Sequence, residues 1–438
     1  MKKILLVLLP VLLIGCSQIE VPPTTPKEEQ KVEQTRSAED VIKIAEHAKM
    51  LFDKSSRNAD ITVNNNSIKA ICRRTGRGTA ADTLMYAVDY NDNKGFVLVS
   101  AINGVAPIIG IAEEGSFNSP KTAKNANFQF FMNNAIDYIE YSLENPEVES
   151  DVMPFATYDT IKQYTTYPAR IKTKWDQGWP ANLYCANESA GCAPLAVAQM
   201  LAYLRSPEYI DITYPNADTS FQMLNWDQIL RHQKTQTTCD GIGMEIKPST
   251  APSRSSSSMD YSDYYFENCT ASKETHEAIG RLVRQIGQLA GADYSSITGT
   301  STTYYNIKTA VRQLLNNRTL TERFNANSMY NDMIRENVVG FIKGEDRTLG
   351  GHAWLIDGAM LVEYKLKYND GTTSSVVKKE KYIHHNWGFG GDSNGYFLEG
   401  VFDTSKRYGN SPVIIRPKSR SSNLGNYSNS ISYFILQK

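Results

Sequence analysis

Apolar positions along the chain fall into blocks with different periods. Val41, Ile44, Ala45, Ala48 and Leu51 recur at helical spacing behind Ser37-Ala38-Glu39-Asp40, which has the form of a capping box with Asp in place of Glu. Leu84 to Tyr90 and Phe96 to Ser100 are strand-like runs on either side of Asn91-Asp92-Asn93-Lys94-Gly95, and predict a hairpin. Phe128, Phe131, Met132, Ala135, Tyr138 and Ile139 line one face of a second helix that ends near Pro146. Helix, hairpin and closing helix make a small α+β unit over residues 37–150. Residues 147–170 show little regular pattern, so 151–166 is expected to be a linker and 167–438 a second domain. In that domain the run after Cys192 is apolar on most faces with no breaker until Pro207, the pattern of a buried helix. The apolar runs beginning at His352 and at Tyr382 flank the turn signal Asn369-Asp370-Gly371, and predict neighbouring strands.

The first residues follow another pattern. Lys2-Lys3 precedes an apolar stretch from Ile4 to Gly15, short for a bilayer span and typical of a signal peptide. It ends in Leu13-Ile14-Gly15-Cys16, which resembles a bacterial lipoprotein processing site. Residues 1–15 are then a signal, Cys16 is the lipidation site, and the Pro-, Lys- and Glu-rich residues 16–36 are a solvated tether. The expected location is the cell envelope, anchored by lipid at the outer membrane.

At 438 residues the chain is long enough for two domains. Its formal charge of −1 points to no nucleic-acid partner. The 25 tyrosines suit either a strand-rich protein or an aromatic core.

Cys192 is the leading chemical candidate. Gly191 frees the backbone before it, and Pro194 is tolerated in a first helical turn. A thiol at a helix start is favoured as thiolate. Locally, a nucleophile and a small buried core cysteine are equally good readings. His352 follows the pair Gly350-Gly351, and Asn386-Trp387 ends the later strand. Cysteine, histidine, then a polar orienting residue is the order of a papain-like cysteine protease. Cys185, in an irregular stretch, is the contrasting thiol. Cys239 and Cys269 flank a segment containing Ser255 to Ser258, and suit a disulfide or two thiols. Asp357 reads as a salt-bridge or turn residue. His384-His385 lacks companions at zinc-ligand spacing, so neither a metal nor a cofactor is expected.

With Gly191-Cys192, Gly350-Gly351-His352-Ala353, Asn386-Trp387-Gly388 and Lys174-Trp175-Asp176-Gln177 in this order, the chain resembles the streptopain family of bacterial cysteine peptidases from about residue 37 to 438. The resemblance implies an α+β, papain-like peptidase domain preceded by a propeptide, in a zymogen that hydrolyses peptide bonds of protein or peptide substrates. It implies Cys192 as nucleophile, His352 as base, Gln177 with the Cys192 amide as oxyanion donors, and Asn386 or Trp387 as the residue that orients the imidazole. It also implies that residues 37–150 inhibit the enzyme until cut, although a permanent accessory domain has the same sequence pattern. Two other classes stay in view: a catalytically silent surface-binding lipoprotein on a protease-like scaffold, and another thiol acyl transferase such as a peptidoglycan amidase.

Overall fold

A computed structural model describes residues 35–53, 63–72, 83–144, 156–211, 221–231, 273–296, 299–323, 326–346, 350–368, 372–403 and 431–438. The signal, Cys16, residues 17–34 of the tether, Asn369-Asp370-Gly371, Cys239 and Cys269 lie outside them; the last two tether residues belong to the fold, Thr35 bridging to Ile102 and Arg36 buried with its guanidinium on the Ser100 and Val105 carbonyls. The first unit comprises α1 (Ala38–Asp53), β1 (Val63–Cys72), β2 (Thr83–Tyr90), β3 (Phe96–Ser100), β4 (Ile108–Ala112), α2 (Pro120–Lys124) and α3 (Ala126–Glu144). The second comprises β5 (Ala156–Tyr167), α4 (Cys192–Leu204), β6 (Tyr209–Asp211), β7 (Phe221–Met223), α5 (Trp226–Arg231), α6 (Lys273–Leu289), α7 (Tyr304–Leu314), β8 (Thr321–Arg323), α8 (Met329–Met333), β9 (Val338–Asp346), β10 (Gly350–Tyr368), β11 (Thr373–Asn386), β12 (Gly395–Leu398) and β13 (Ile431–Gln437). Among the described residues no helix is long and apolar enough to cross a membrane.

Local chemistry accounts for the expected elements. The Ser37 hydroxyl accepts from the Asp40 amide at 3.1 Å, and Asp40 accepts from the Ser37 amide at 3.3 Å, so the capping box closes. The hairpin forms as β2 and β3 in register, with Met85 opposite Ser100 and Asp89 opposite Phe96. Helix α4 ends at Arg205, which takes a left-handed conformation just before Pro207.

Two features depart from expectation. The stretch expected to be an irregular linker, 151–166, contains β5, which pairs antiparallel with the distal half of β10 from Ala359–Tyr167 to Tyr368–Ala156. Its Thr, Tyr and Ile content favours a strand, but threonines on both faces hide the alternation. The stretch expected to be a linker is thus a strand of the sheet, bonded to β10. Second, the two units share one sheet. Its order is β1-β2-β3-β4-β12-β11-β10-β9-β13-β8, with β5 alongside β10. The joint is β4 against β12, Ala112 opposite Gly395 and Gly110 opposite Phe397.

The pleat of β10 divides the packing. Trp354 and Ile356 belong to an apolar core that also contains Phe128, Phe131 and Phe96 of the first unit. Ala353 and Leu355 belong to a second core built on α4, α6 and α7. Beneath the joint, His384 of β11 is buried with its Nδ1 2.6 Å from Asp357 Oδ1 and its Nε2 3.7 Å from Glu113 Oε2.

Candidate active site

Cys192 opens α4 after Gly191, whose φ of +83° is a conformation that favours glycine. The thiol is half-buried at a cleft of about 210 Å³ that His352, Ala353, Lys343, Glu345 and the segment from Thr300 to Tyr304 also line. Thr300 donates to the Ser189 carbonyl at 3.1 Å, and Asn187 donates to the Ser296 carbonyl at 2.9 Å. These bonds hold the threonine-rich lip against the turn that delivers Cys192. Burial pushes the thiol up from its ordinary range. The amides of Ala353, Ala193 and Cys192 and, least of all, the Lys343 ammonium offset part of this rise, and the thiol stays raised in the uncut chain.

Gln177 lies beside the same turn. Its carbonyl accepts from the Ala190 amide at 3.1 Å, and its Oε1 is 3.4 Å from the Ser189 hydroxyl that donates to it. Its side-chain amide nitrogen is the group with donors to offer. Trp175, two residues earlier, is fully buried and donates its amide to Gln199 Oε1 at 3.1 Å. Gln199, deep in α4, also accepts from Asn386 Nδ2 at 3.4 Å. One buried glutamine thus ties three sequence motifs together, a part that the sequence did not reveal.

Strands β10 and β11 pair as expected, with Leu355 opposite Asn386. The geometry around His352 is set from the other face of the sheet. Phe130 of α3 is buried with its ring centroid 6.1 Å from that of His352 and 5.5 Å from that of Trp354. Gly344 makes room for it, because a Cβ there would be 2.4 Å from the Phe130 ring. Asn127, three residues earlier, donates to the Ala353 carbonyl at 3.0 Å and to the Trp387 carbonyl at 2.6 Å. A side chain of the first unit therefore bridges the strand ends that carry His352 and Trp387. Neither Phe130 nor Asn127 had been singled out for such a role, since contact across the sheet leaves no mark on local periodicity.

Asn386 and Trp387 have other partners here. Asn386 donates to the Thr173 carbonyl at 2.9 Å and accepts from the Gly388 amide at 3.2 Å. Trp387 is fully buried, stacks on His385 at 4.7 Å and donates to the Ser393 carbonyl at 2.8 Å. His385 Nδ1 accepts from Trp354 Nε1 at 2.8 Å, and burial and the neighbouring His384 drive its pKa well down. Burial disfavours charge on His384 too, but Asp357 and Glu113 outweigh it and raise its pKa to about 10. Asp357 thus has the salt-bridge role expected of it. Cys185 is buried, its thiol is pushed up to about 11 by burial, and it is not among the residues that line the cleft.

Residues 175–397 match the model of the Peptidase C10 family, and residues 37–139 match that of the Spi protease inhibitor. Among solved structures, a Prevotella intermedia prointerpain A fragment in cysteine-to-alanine form is similar over 86% of this chain and 98% of its own, at 14% identity and a TM-score of 0.49. Active wild-type interpain A cysteine protease of the same organism is similar over 62% of this chain and 94% of its own, at 16% identity and a TM-score of 0.35. No curated protein matches.

Proposed function

Because the chain belongs to the Peptidase C10 family, a cysteine-type peptidase carried here behind its own propeptide inhibitor, we propose that Cys192 is its nucleophile and His352 its general base. The observation that carries this reading is that Cys192, at the start of a buried helix, and His352 line one cleft. In the open enzyme His352 takes the thiol proton. The thiolate attacks the substrate carbonyl, and the oxyanion is met by the Cys192 amide and the Gln177 side-chain amide. The imidazolium then protonates the leaving amine as the acyl-enzyme thioester forms. A water activated by the same imidazole releases the acid. Asn386 holds the strand end and the Gly388 turn in place, and Trp387 screens the imidazole from water once the propeptide has gone.

In the structure as it stands, Phe130 is against His352 and Asn127 occupies the carbonyls beside it. This supports an inhibitor that acts on the base side of the cleft. Strand β5 is bonded to β10, so the activating cut falls before Ala156 and the strand stays with the enzyme. Anchoring at Cys16 rests on the Leu13-Ile14-Gly15-Cys16 sequence and puts the peptidase on the envelope. Protein substrate offered to purified enzyme, with and without a thiol-directed epoxide, tests the activity. Turnover that survives both the epoxide and Cys192→Ala ends the proposal, and no turnover in the processed wild-type enzyme favours a binding lipoprotein. The mass of the processed N-terminus tests both the lipid and the position of the cut.

A further inference from the structure

Strand β9 brings a charge pair into the cleft. Lys343 is opposite Ala353 in the β9–β10 register, so it projects on the same face as Ala353, the face packed by α4. The position opposite His352 is Gly344, on the face that Phe130 occupies. The stem of Lys343 runs beside Gly351, with Cε 3.8 Å from where a Cβ would stand, and its ammonium is paired with Glu345. Lys343 and Cys192 line the same cleft, whereas the His352 ring is engaged by Phe130. The titratable groups lining this cleft besides the thiol are Lys343 and Glu345 of β9, His352 of β10 and Tyr304 at the start of α7. Helix α4 brings none but Cys192 itself. Burial raises the Tyr304 phenol, with Glu322 adding to the effect, so it stays neutral.

We propose that Lys343 is a positioning residue for the nucleophile: while the propeptide engages His352, the Lys343 ammonium is the side-chain cation in the cleft that favours ionisation of Cys192. This rests on the assignment of Cys192 as nucleophile. The zymogen then keeps a fraction of reactive thiolate while the imidazole is held on the propeptide side. Glu345 tempers the effect by neutralising part of the lysine's charge. Once the propeptide leaves and the imidazole reaches the thiol, the lysine's share becomes the smaller one.

The test is the pH dependence of iodoacetamide alkylation of Cys192, read by mass on its peptide, in the full chain carrying His352→Ala to stop turnover. Adding Lys343→Met should raise the midpoint by about one pH unit, which is about a tenfold slower reaction below it. Lys343→Arg should hold the midpoint, and Glu345→Gln should lower it. In the processed enzyme with His352 intact, Lys343→Met should move the midpoint by less. An unchanged midpoint in Lys343→Met, an equal shift in Lys343→Arg, or no downward shift in Glu345→Gln overturns the inference. The Arg and Gln variants keep the test open if the Met variant fails to fold. Should Cys192 prove no more reactive than Cys185, the assignment of the nucleophile itself fails, a different result from a Cys192 indifferent to Lys343.

Discussion

The two faces of β10 are packed in different ways. On the α4 side the core is largely small and aliphatic: Ala193, Ala196, Val197, Ala198 and Leu201 share one cluster with Ala353 and Leu355. Against α3 they are aromatic: Phe128, Phe130 and Phe131 with Trp354, Trp387 and Phe397. The first face holds the proposed nucleophile, Cys192, with chain that stays in the enzyme. The second holds the proposed base, His352, with chain that the proposed cut removes. Close aliphatic packing suits a permanent joint. A few large rings and two hydrogen bonds from Asn127 suit one that is made once and later undone. On the proposed assignment, nucleophile and base are held by different parts of the chain, although they line a single cleft.

The sharpest way to break this comparison is to remove its two poles. Cys192→Ala and His352→Ala should each lower peptidase activity by on the order of 10³-fold or more, and the double variant should be little worse than either. Multiplicative losses, measured as kcat/KM on a protein substrate, would mean that the two do not act as a unit. Cys185→Ala should leave turnover intact. Next in size is Phe130→Ala in the uncut Cys192→Ala chain. Removing a buried ring should cost about 3–5 kcal/mol of zymogen stability. In the otherwise native chain it should speed conversion to the mature form. Unaltered conversion and an unaltered Tm would show that Phe130 is a bystander. Asn127→Ala should act in the same direction at about 1–3 kcal/mol, because two carbonyls lose their donor.

A smaller effect lies under the joint. The pKa of His384 is raised from an unfolded value near 6.5 to about 10. A raised pKa of this kind contributes stability that is fully present below about pH 6.5 and is lost as pH rises through about 10. Urea unfolding of the Cys192→Ala chain should therefore show declining stability across that window. Asp357→Asn should lower stability at pH 7 and flatten the decline. A slope identical in both chains would remove His384 as its source.

Much of the cleft itself was legible in the sequence. The uniform apolar run after Cys192, the Gly-Gly-His strand and the Asn-Trp strand end each carry a local signature, and pairing two strands brings the last two together. Less of the second face was legible. Phe130 and Asn127 lie on an amphipathic helix whose pattern says that a face is buried but not against what. Strand β5 was hidden by its threonines, which serve a strand while looking polar. The β4–β12 joint is three residue pairs long and carries no turn signal, so neither strand announces the other. Only the fold reveals that Gln199 reaches both Trp175 and Asn386.

The shared sheet has a thermodynamic consequence. A propeptide that merely capped a finished enzyme would melt apart from it, as two heat-absorption peaks in a calorimeter. Here β4 extends the ladder of β12, and Phe128 and Phe131 complete a core that Trp387 and Phe397 begin. The uncut chain should therefore behave as a single cooperative unit with one calorimetric peak. Proteolysis then does more than lift an inhibitor from a cleft, because it divides one thermodynamic body into two.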